Sequence, residues 1–239
     1  MFIQVNANEI AAKHVSGQLN ELARQRALWR KVKYREGSEI FGEAEPADYV
    51  YQVRQGAVRT YKRLCDGRRQ IGAFHLPGDI FGVEDGKVHR FAAEAIVDTR
   101  VWVATRRRLF AGLAKGDTSA TNNVRNFVTR TLEHAENHLL LLGRQNSVER
   151  VAAFLLEIDR RLEQPYVIVL PMRRRDIADY LGLTVETVSR ALSILRDEGV
   201  LSVGRGLMRR EIVLHDRSKL AERVCQSDPE RHEGCPSPS

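Results

Sequence analysis

Between Val32 and Ala104 the chain carries Gly37, Gly42, Gly56, Gly67, Gly72, Gly78, Gly82 and Gly86, with Pro46 and Pro77 among them. No long helix survives that density of chain-turning residues. Between the breaks lie short runs of strand-forming residues: Tyr49–Arg54, Ala57–Lys62, Gln70–Leu76, Phe91–Ala95 and Thr99–Ala104. Short strands separated by turn residues at this spacing fold as an antiparallel β-roll or barrel.

The flanks have the opposite texture. From residue 9 to about 30, Ile10, Val15, Leu19, Leu22 and Leu28 lie roughly along one face with no Pro between them, which predicts a helical segment. Beyond the glycine-rich stretch, Thr118 to Leu142 contains neither Gly nor Pro. There Val124, Val128, Thr131, Ala135, His138 and Leu142 recur in steps of four and three, and Leu139–Leu142 widens the stripe. A heptad-like seam on a long helix finds a partner helix. Val124, Val128, Ala135, Leu139 and Leu142 are therefore the expected dimerisation residues. The competing reading is a core helix packed on the roll.

The last third is compact. Ser147 is placed as the cap of a helix carrying Val151, Phe154, Leu155 and Ile158, ended by Gln164 and Pro165. Val167–Leu170 reads as a strand. Leu201–Val203 and Glu211–Leu214 flank Gly204–Gly206 as the arms of a hairpin would. Between them, Arg174 to Leu195 carries the chemistry. Ile177, Ala178 and Leu181 form the inner face of a short helix, and Ala178 is small where two helices must cross closely. Gly182 follows, where a sharp turn favours a residue that tolerates positive φ. Thr184 suits the cap of the next helix. Val188, Leu192 and Leu195 supply the buried stripe of that helix, which leaves Val185, Glu186, Ser189 and Arg190 outward.

Together these features specify a helix-turn-helix with a wing. The competing reading is a plain αα-corner. In a DNA major groove a Glu accepts from the amino group of cytosine, and an Arg donates to O6 and N7 of guanine. Glu186, Ser189 and Arg190 are thus the expected base-reading residues, with Arg174, Thr184, Thr187 and Arg205 on the DNA backbone. An i,i+4 ion pair between Glu186 and Arg190 is the alternative use of those two charges.

The fold class that follows is α+β. Residues 1–30 form an N-terminal helical segment and 31–116 a β-roll like cyclic-nucleotide-binding domains. Residues 117–143 form a dimerisation helix, 144–220 a winged helix-turn-helix domain, and 221–239 a polar, unstructured tail. The net charge of +7 over 239 residues favours a polyanionic partner. Its basic residues cluster at Arg106–Arg108, Arg173–Arg175, Arg205, Arg209 and Arg210. Cys65, Cys225 and Cys235 form no Cys-x-x-Cys pair and no zinc spacing, which suits a reducing compartment. No apolar run reaches bilayer length and Met1 to Asn8 shows no apolar signal core behind a positive flank, so the expected location is the cytoplasm, with no membrane partner. Walker, Gly-x-Ser-x-Gly and His-Glu-x-x-His motifs are absent, which argues against an enzyme.

The order of roll, long helix, helix-turn-helix and wing resembles the CRP/FNR family of bacterial regulators over about residues 25–220. Glu186, Ser189 and Arg190 are similar to the pattern of the FNR branch. The stretches Asp66–Gly82 and His89–Ile96 resemble the FixK-like subgroup. The resemblance implies a homodimer that binds a palindrome like TTGAT-N4-ATCAA, works with RNA polymerase and activates genes of low-oxygen respiration and nitrogen metabolism. It also marks departures. The first 64 residues hold no cysteine for an iron–sulfur cluster. Cyclic-AMP-binding members hold the phosphate with an Arg followed by Ser or Thr, whereas here Phe91 follows Arg90, and Glu84 and Asp85 repel a phosphate. No cofactor is therefore expected. The alternatives left open are a roll that senses a cyclic nucleotide or other small ligand, haem ligation by His75 and His89 against ordinary roll histidines, and redox control through Cys65 against a plain surface thiol.

Overall fold

The computed structural model describes residues 29–84, 86–107, 118–144, 146–162, 167–204 and 211–225. The chain separates into two units, one running to Glu136 and the other beginning at Asn137.

The first unit is the β-roll. Its strands are β1 (Arg30–Tyr34), β2 (Glu39–Phe41), β3 (Tyr49–Gln55), β4 (Val58–Arg63), β5 (Arg69–His75), β6 (Ile80–Phe81), β7 (Ala92–Ala95) and β8 (Thr99–Thr105). They form two four-stranded sheets, ordered β1-β8-β3-β6 and β2-β7-β4-β5, and every pairing is antiparallel. Alternation sends Val101 and Val103 of β8 inward and leaves Arg100 outside. They meet Phe41, Tyr51, Val53, Val58, Phe81 and Ala93 in the roll interior. Burying each large apolar side chain contributes about 1.5–3 kcal/mol.

The five sequence-expected strands are β3, β4, β5, β7 and β8, each shifted by about a residue at its ends. Sequence reading missed β1, β2 and β6. Three of the five residues of β1 are Arg or Lys, so only Val32 and Tyr34 signal its inner face. Arg30 opens that strand, so the expected N-terminal helix does not extend through it. The rest of that helix lies outside the described residues. Gly56 sits at φ 89°, and a Cβ there would stand 2.5 Å from Thr99 Oγ1 and 2.7 Å from the Asp98 carbonyl oxygen. That Thr99 hydroxyl accepts from the Ala57 N–H at 3.2 Å and donates to the Val97 carbonyl at 2.7 Å, which ties the β3–β4 turn to β8.

The helices are α1 (Thr118–Gly143), α2 (Ser147–Leu162), α3 (Arg174–Leu181), α4 (Val185–Asp197) and α5 (Arg217–Cys225). The division between the units falls within α1. In the second unit β9 (Val167–Val169), β10 (Leu201–Val203) and β11 (Glu211–Leu214) form a sheet ordered β10-β11-β9. The hairpin pairs Leu201 with Leu214 and Val203 with Ile212. Helix α2 packs on α4, α5 and β9. Phe154, Leu155, Ile158, Ile168, Leu195, Leu201, Ile212 and Leu220 are essentially inaccessible there.

Two expectations shift. Ser147 is already helical, and the cap is Asn146, whose Oδ1 accepts the Val148 N–H at 2.9 Å. Helix α5 carries ordered chain to Cys225, past the expected tail boundary at 220. Its polarity hid it: among its described side chains only Leu220 is fully buried, and ion pairs add to that anchor. Arg217 grips both oxygens of Asp159 at 2.7 and 2.9 Å, and Arg223 pairs with Glu198. The hairpin tip and Gln164–Pro165 lie outside the described residues.

Helix α1 presents an open apolar stripe. Val128 is 55% exposed, Leu132 56% and Leu139 72%, and Ala135 between them is exposed too. Their spacing of four, three and four is that of a heptad seam. The sequence reading placed Thr131 and His138 on this stripe and missed Leu132. Leu142 is half-buried, and Leu141 beside it is buried. The side chain of Val124 lies outside the described residues.

Candidate nucleic-acid interface

Helices α3 and α4 are joined as the sequence requires. At the start of α3, Asp176 Oδ2 accepts the Arg173 N–H at 3.0 Å. Ile177, Ala178, Tyr180 and Leu181 are buried. Gly182 adopts φ 63°, ψ 37°, the left-handed conformation, and the Leu183 N–H returns to the Ala178 carbonyl at 3.0 Å. Thr184 is extended at φ −86°, ψ 159°, and its Oγ1 accepts the Thr187 N–H at 3.1 Å. A cap of this kind contributes about 1 kcal/mol. Val188, Ala191, Leu192 and Leu195 are the buried stripe of α4.

The end of α3 is held from two sides. The last-turn carbonyls of a helix lack partners within it. The Tyr180 carbonyl accepts from His138 Nε2 of α1 at 2.9 Å, and the two rings stack with centroids 4.0 Å apart and 3° between planes. The Leu181 carbonyl accepts from Arg150 Nη1 of α2 at 3.3 Å. Thus His138 braces the turn instead of facing along the stripe. Composition gave no signal for this role, because a heptad position and a carbonyl cap both accommodate His.

The outward face of α4 carries Glu186 and Arg190, both exposed, with Ser189 half-buried between them. Among the described residues no ion pair joins Glu186 to Arg190. Hydrogen bonding from its own backbone N–H and from the Thr184 side chain sets the Glu186 pKa below the usual carboxylate range. Arg190 is exposed, and among the described residues its guanidinium has no hydrogen-bond acceptor. Thr184 and Thr187 hydroxyls lie 3.0 Å apart and bond to each other. Arg174 reaches across the turn, and its Nη1 donates to Ser189 Oγ at 3.3 Å. Arg205 lies outside the described residues.

The roll offers a poor seat for a cyclic nucleotide. Arg90 Nε donates to Glu84 Oε2 at 2.8 Å, so a carboxylate stands beside the cation that a phosphate would need. The Phe91 ring lies against Gly72, where a Cβ would stand 3.1 Å from its Cε1. The residues present therefore do not fit a bound cyclic nucleotide. His75 Nε2 meets the Thr60 hydroxyl at 3.1 Å and its ring stacks on Phe81. His89 is buried, stacked on Phe41 at 3.6 Å, with Nδ1 3.9 Å from Glu84 Oε1. Burial pushes its imidazole pKa down, opposed by Glu84 and Glu45. Both histidines are packed as roll residues. Cys65 is exposed at the β4–β5 hairpin. Among the described residues no group of three or more His, Cys, Asp or Glu could hold a metal ion, and no helix is long and apolar enough to cross a membrane.

Comparison with known proteins agrees with this geometry. Residues 149–223 match the Crp-like helix-turn-helix domain, and residues 31–115 match the cyclic nucleotide-binding domain. The nitrogen fixation regulation protein FixK of Azorhizobium caulinodans is 43% identical over 199 residues, covering 81% of this chain and 79% of that protein. The transcriptional activatory protein AadR of Rhodopseudomonas palustris is 39% identical over 180 residues, covering 74% of this chain and 75% of that one. The solved structure of FixK2 from Bradyrhizobium japonicum superposes with a TM-score of 0.76 at 54% identity, covering 82% of this chain and 96% of that chain.

Proposed function

Because the chain belongs to the CRP/FNR family of transcription regulators, in its FixK-like subgroup, we propose that it activates transcription as a cytoplasmic homodimer seated on an inverted repeat. It is a DNA-binding regulator and not an enzyme, like the relatives it matches. The observation that carries the finer reading is the outward face of α4, where Glu186 and Arg190 stand apart from each other.

In this reading α4 lies in the major groove. Arg190 donates to the guanine of a TTGAT half-site, Glu186 accepts from a cytosine amino group on the complementary strand, and Ser189 contacts the base between them. Arg174, Thr184, Thr187 and Arg205 serve the sugar–phosphate backbone. The stripe of Val128, Ala135 and Leu139, with Val124 and Leu142 at its ends, is the two-fold seam, and Leu132 joins it. Such a dimer presents two reading helices about 34 Å apart, one turn of DNA. The division into residues 1–30, 31–116, 117–143, 144–220 and a tail follows the same scheme, with the winged domain extended through α5. RNA polymerase is the partner through which an activator of this family acts.

DNA binding proceeds without a cyclic nucleotide. Arg90 held by Glu84 and Phe91 lying on Gly72 support this. Titration of the purified protein onto a TTGAT-N4-ATCAA duplex and a scrambled duplex tests the proposal, with and without cyclic AMP. The palindrome is expected to bind in preference, with no change on adding nucleotide. Equal affinity for both duplexes overturns the site assignment. A tenfold or greater tightening by cyclic AMP, about 1.4 kcal/mol of coupling, overturns the ligand-free reading.

A further inference from the structure

We infer that Arg174 is a positioning residue that fixes the Ser189 hydroxyl as a hydrogen-bond donor, and so narrows which base Ser189 can read. The inference rests on the reading of α4 as the sequence-reading helix. Arg174 opens α3 and is half-buried, and its Nη1 lies 3.3 Å from Ser189 Oγ in the middle of α4. A guanidinium has donors and no acceptor. At this contact Oγ is therefore the acceptor, and the hydroxyl hydrogen remains to be given elsewhere.

That division of roles matters because a free serine hydroxyl is ambivalent. It rotates to accept from an amino group or to donate to a carbonyl or ring nitrogen, and on a helix it also turns back to the carbonyl one turn earlier. With one of its two lone pairs held by a cation, the hydroxyl keeps its O–H and a single lone pair, so donation becomes its favoured role. In the major groove the acceptors are O6 and N7 of guanine, N7 of adenine and O4 of thymine, whereas the amino groups of cytosine and adenine donate. Ser189 held this way favours the first set and disfavours the second.

Helix stability does not account for an arginine at this place. The first turn of α3 is the positive end of its dipole, where a cation is disfavoured and Asp176 is the favoured charge. A phosphate contact alone would explain the charge but not the reach across the turn to Ser189.

The test is selection of bound DNA from a random pool by the full-length protein and by Ser189→Ala, Arg174→Ala, Arg174→Lys and the Ser189→Ala/Arg174→Ala pair, with salt titrations alongside. Ser189→Ala is expected to relax preference at one base pair by roughly fivefold or more. Arg174→Ala is expected to relax the same base pair, and the pair of substitutions to relax it no further. Arg174→Lys keeps the charge and hence the salt slope, but a lysine ammonium lacks the planar fork, so the same base pair relaxes. If Ser189→Ala moves a base pair and the Arg174 variants do not, but only weaken all sequences alike and lower the salt slope by about one, Arg174 is a phosphate contact and the inference fails alone. If Ser189→Ala moves no base pair, the reading of Ser189 fails and the inference with it.

Discussion

Replacing Gly182 with Ala isolates what the turn between α3 and α4 costs. Gly182 sits at φ 63°, ψ 37°, and holding an L-residue there costs about 1–2 kcal/mol. Space adds nothing to that cost. A Cβ at Gly182 would stand 3.8 Å from Leu142 Cδ2, an ordinary van der Waals separation. The whole penalty is therefore backbone strain, and it falls on the second unit. For a domain of that size about 1–2 kcal/mol corresponds to a fall in midpoint of roughly 4–16 °C. Both tryptophans, Trp29 and Trp102, lie in the first unit, so their emission reports the roll. Far-ultraviolet circular dichroism follows the helices instead. Gly182→Ala is expected to lower the dichroism midpoint and leave the tryptophan midpoint in place. Gly182→Asn should lose less, because Asn tolerates the left-handed region, and Gly182→Val should lose more. Wild-type stability in Gly182→Ala, or an Asn variant worse than Ala, would refute the reasoning.

Other outcomes follow from the stripe and from two titrating groups. Val128 and Leu139 are 55% and 72% exposed within one chain, so Val128→Glu or Leu139→Glu should leave the protomer folded while burying an unpaired charge in a dimer, which costs about 3 kcal/mol or more. Sedimentation should then show a folded monomer, and a mutant that stays dimeric would place the seam elsewhere. His89 has a folded pKa below its unfolded value, so the native roll binds fewer protons than the unfolded chain. Its contribution is present above about pH 6.5 and is lost as pH falls below that. The tryptophan-detected midpoint should fall between about pH 6.5 and pH 5, and His89→Leu should flatten that fall. An unchanged profile in the variant would remove His89 from the account. Glu186 has a depressed pKa and stays ionised well into mild acid, so its base preference should be the same at about pH 5.5 as at neutrality. A preference lost at that pH would mean that the Glu186 carboxylate is not the group that sets it.

How much of this was legible depended on whether the signal was local. The turn at Gly182, the cap at Thr184 and the buried Val188, Leu192 and Leu195 stripe were readable because each is a rule about one residue and its near neighbours. The roll was readable as a class, since its glycines punctuate short strands. Strand β1 escaped because Arg30, Lys31 and Lys33 outnumber the two apolar residues that define its inner face. Helix α5 escaped because its anchoring is long-range: Arg217 to Asp159 and Arg223 to Glu198 join residues far apart in the chain. His138 was misplaced on the seam for the same reason, since nothing nearby in sequence announces the Tyr180 carbonyl that it meets. The Arg174 contact with Ser189 links two residues that sequence reading had given separate tasks. Pairings of this kind emerge only once α3 and α4 are folded onto each other.

The claim that α4 reads sequence is tested most directly by selecting bound DNA from a random pool with the wild-type protein, Arg190→Ala and Glu186→Ala. The wild type is expected to return an inverted repeat like TTGAT-N4-ATCAA. Arg190→Ala should lose discrimination at the guanine position by about 1–3 kcal/mol while keeping the salt-dependent, sequence-independent binding that the other arginines supply. Glu186→Ala should relax preference at one base pair only. If both variants return the wild-type sequence with undiminished preference, α4 is not the reader and the central claim is wrong.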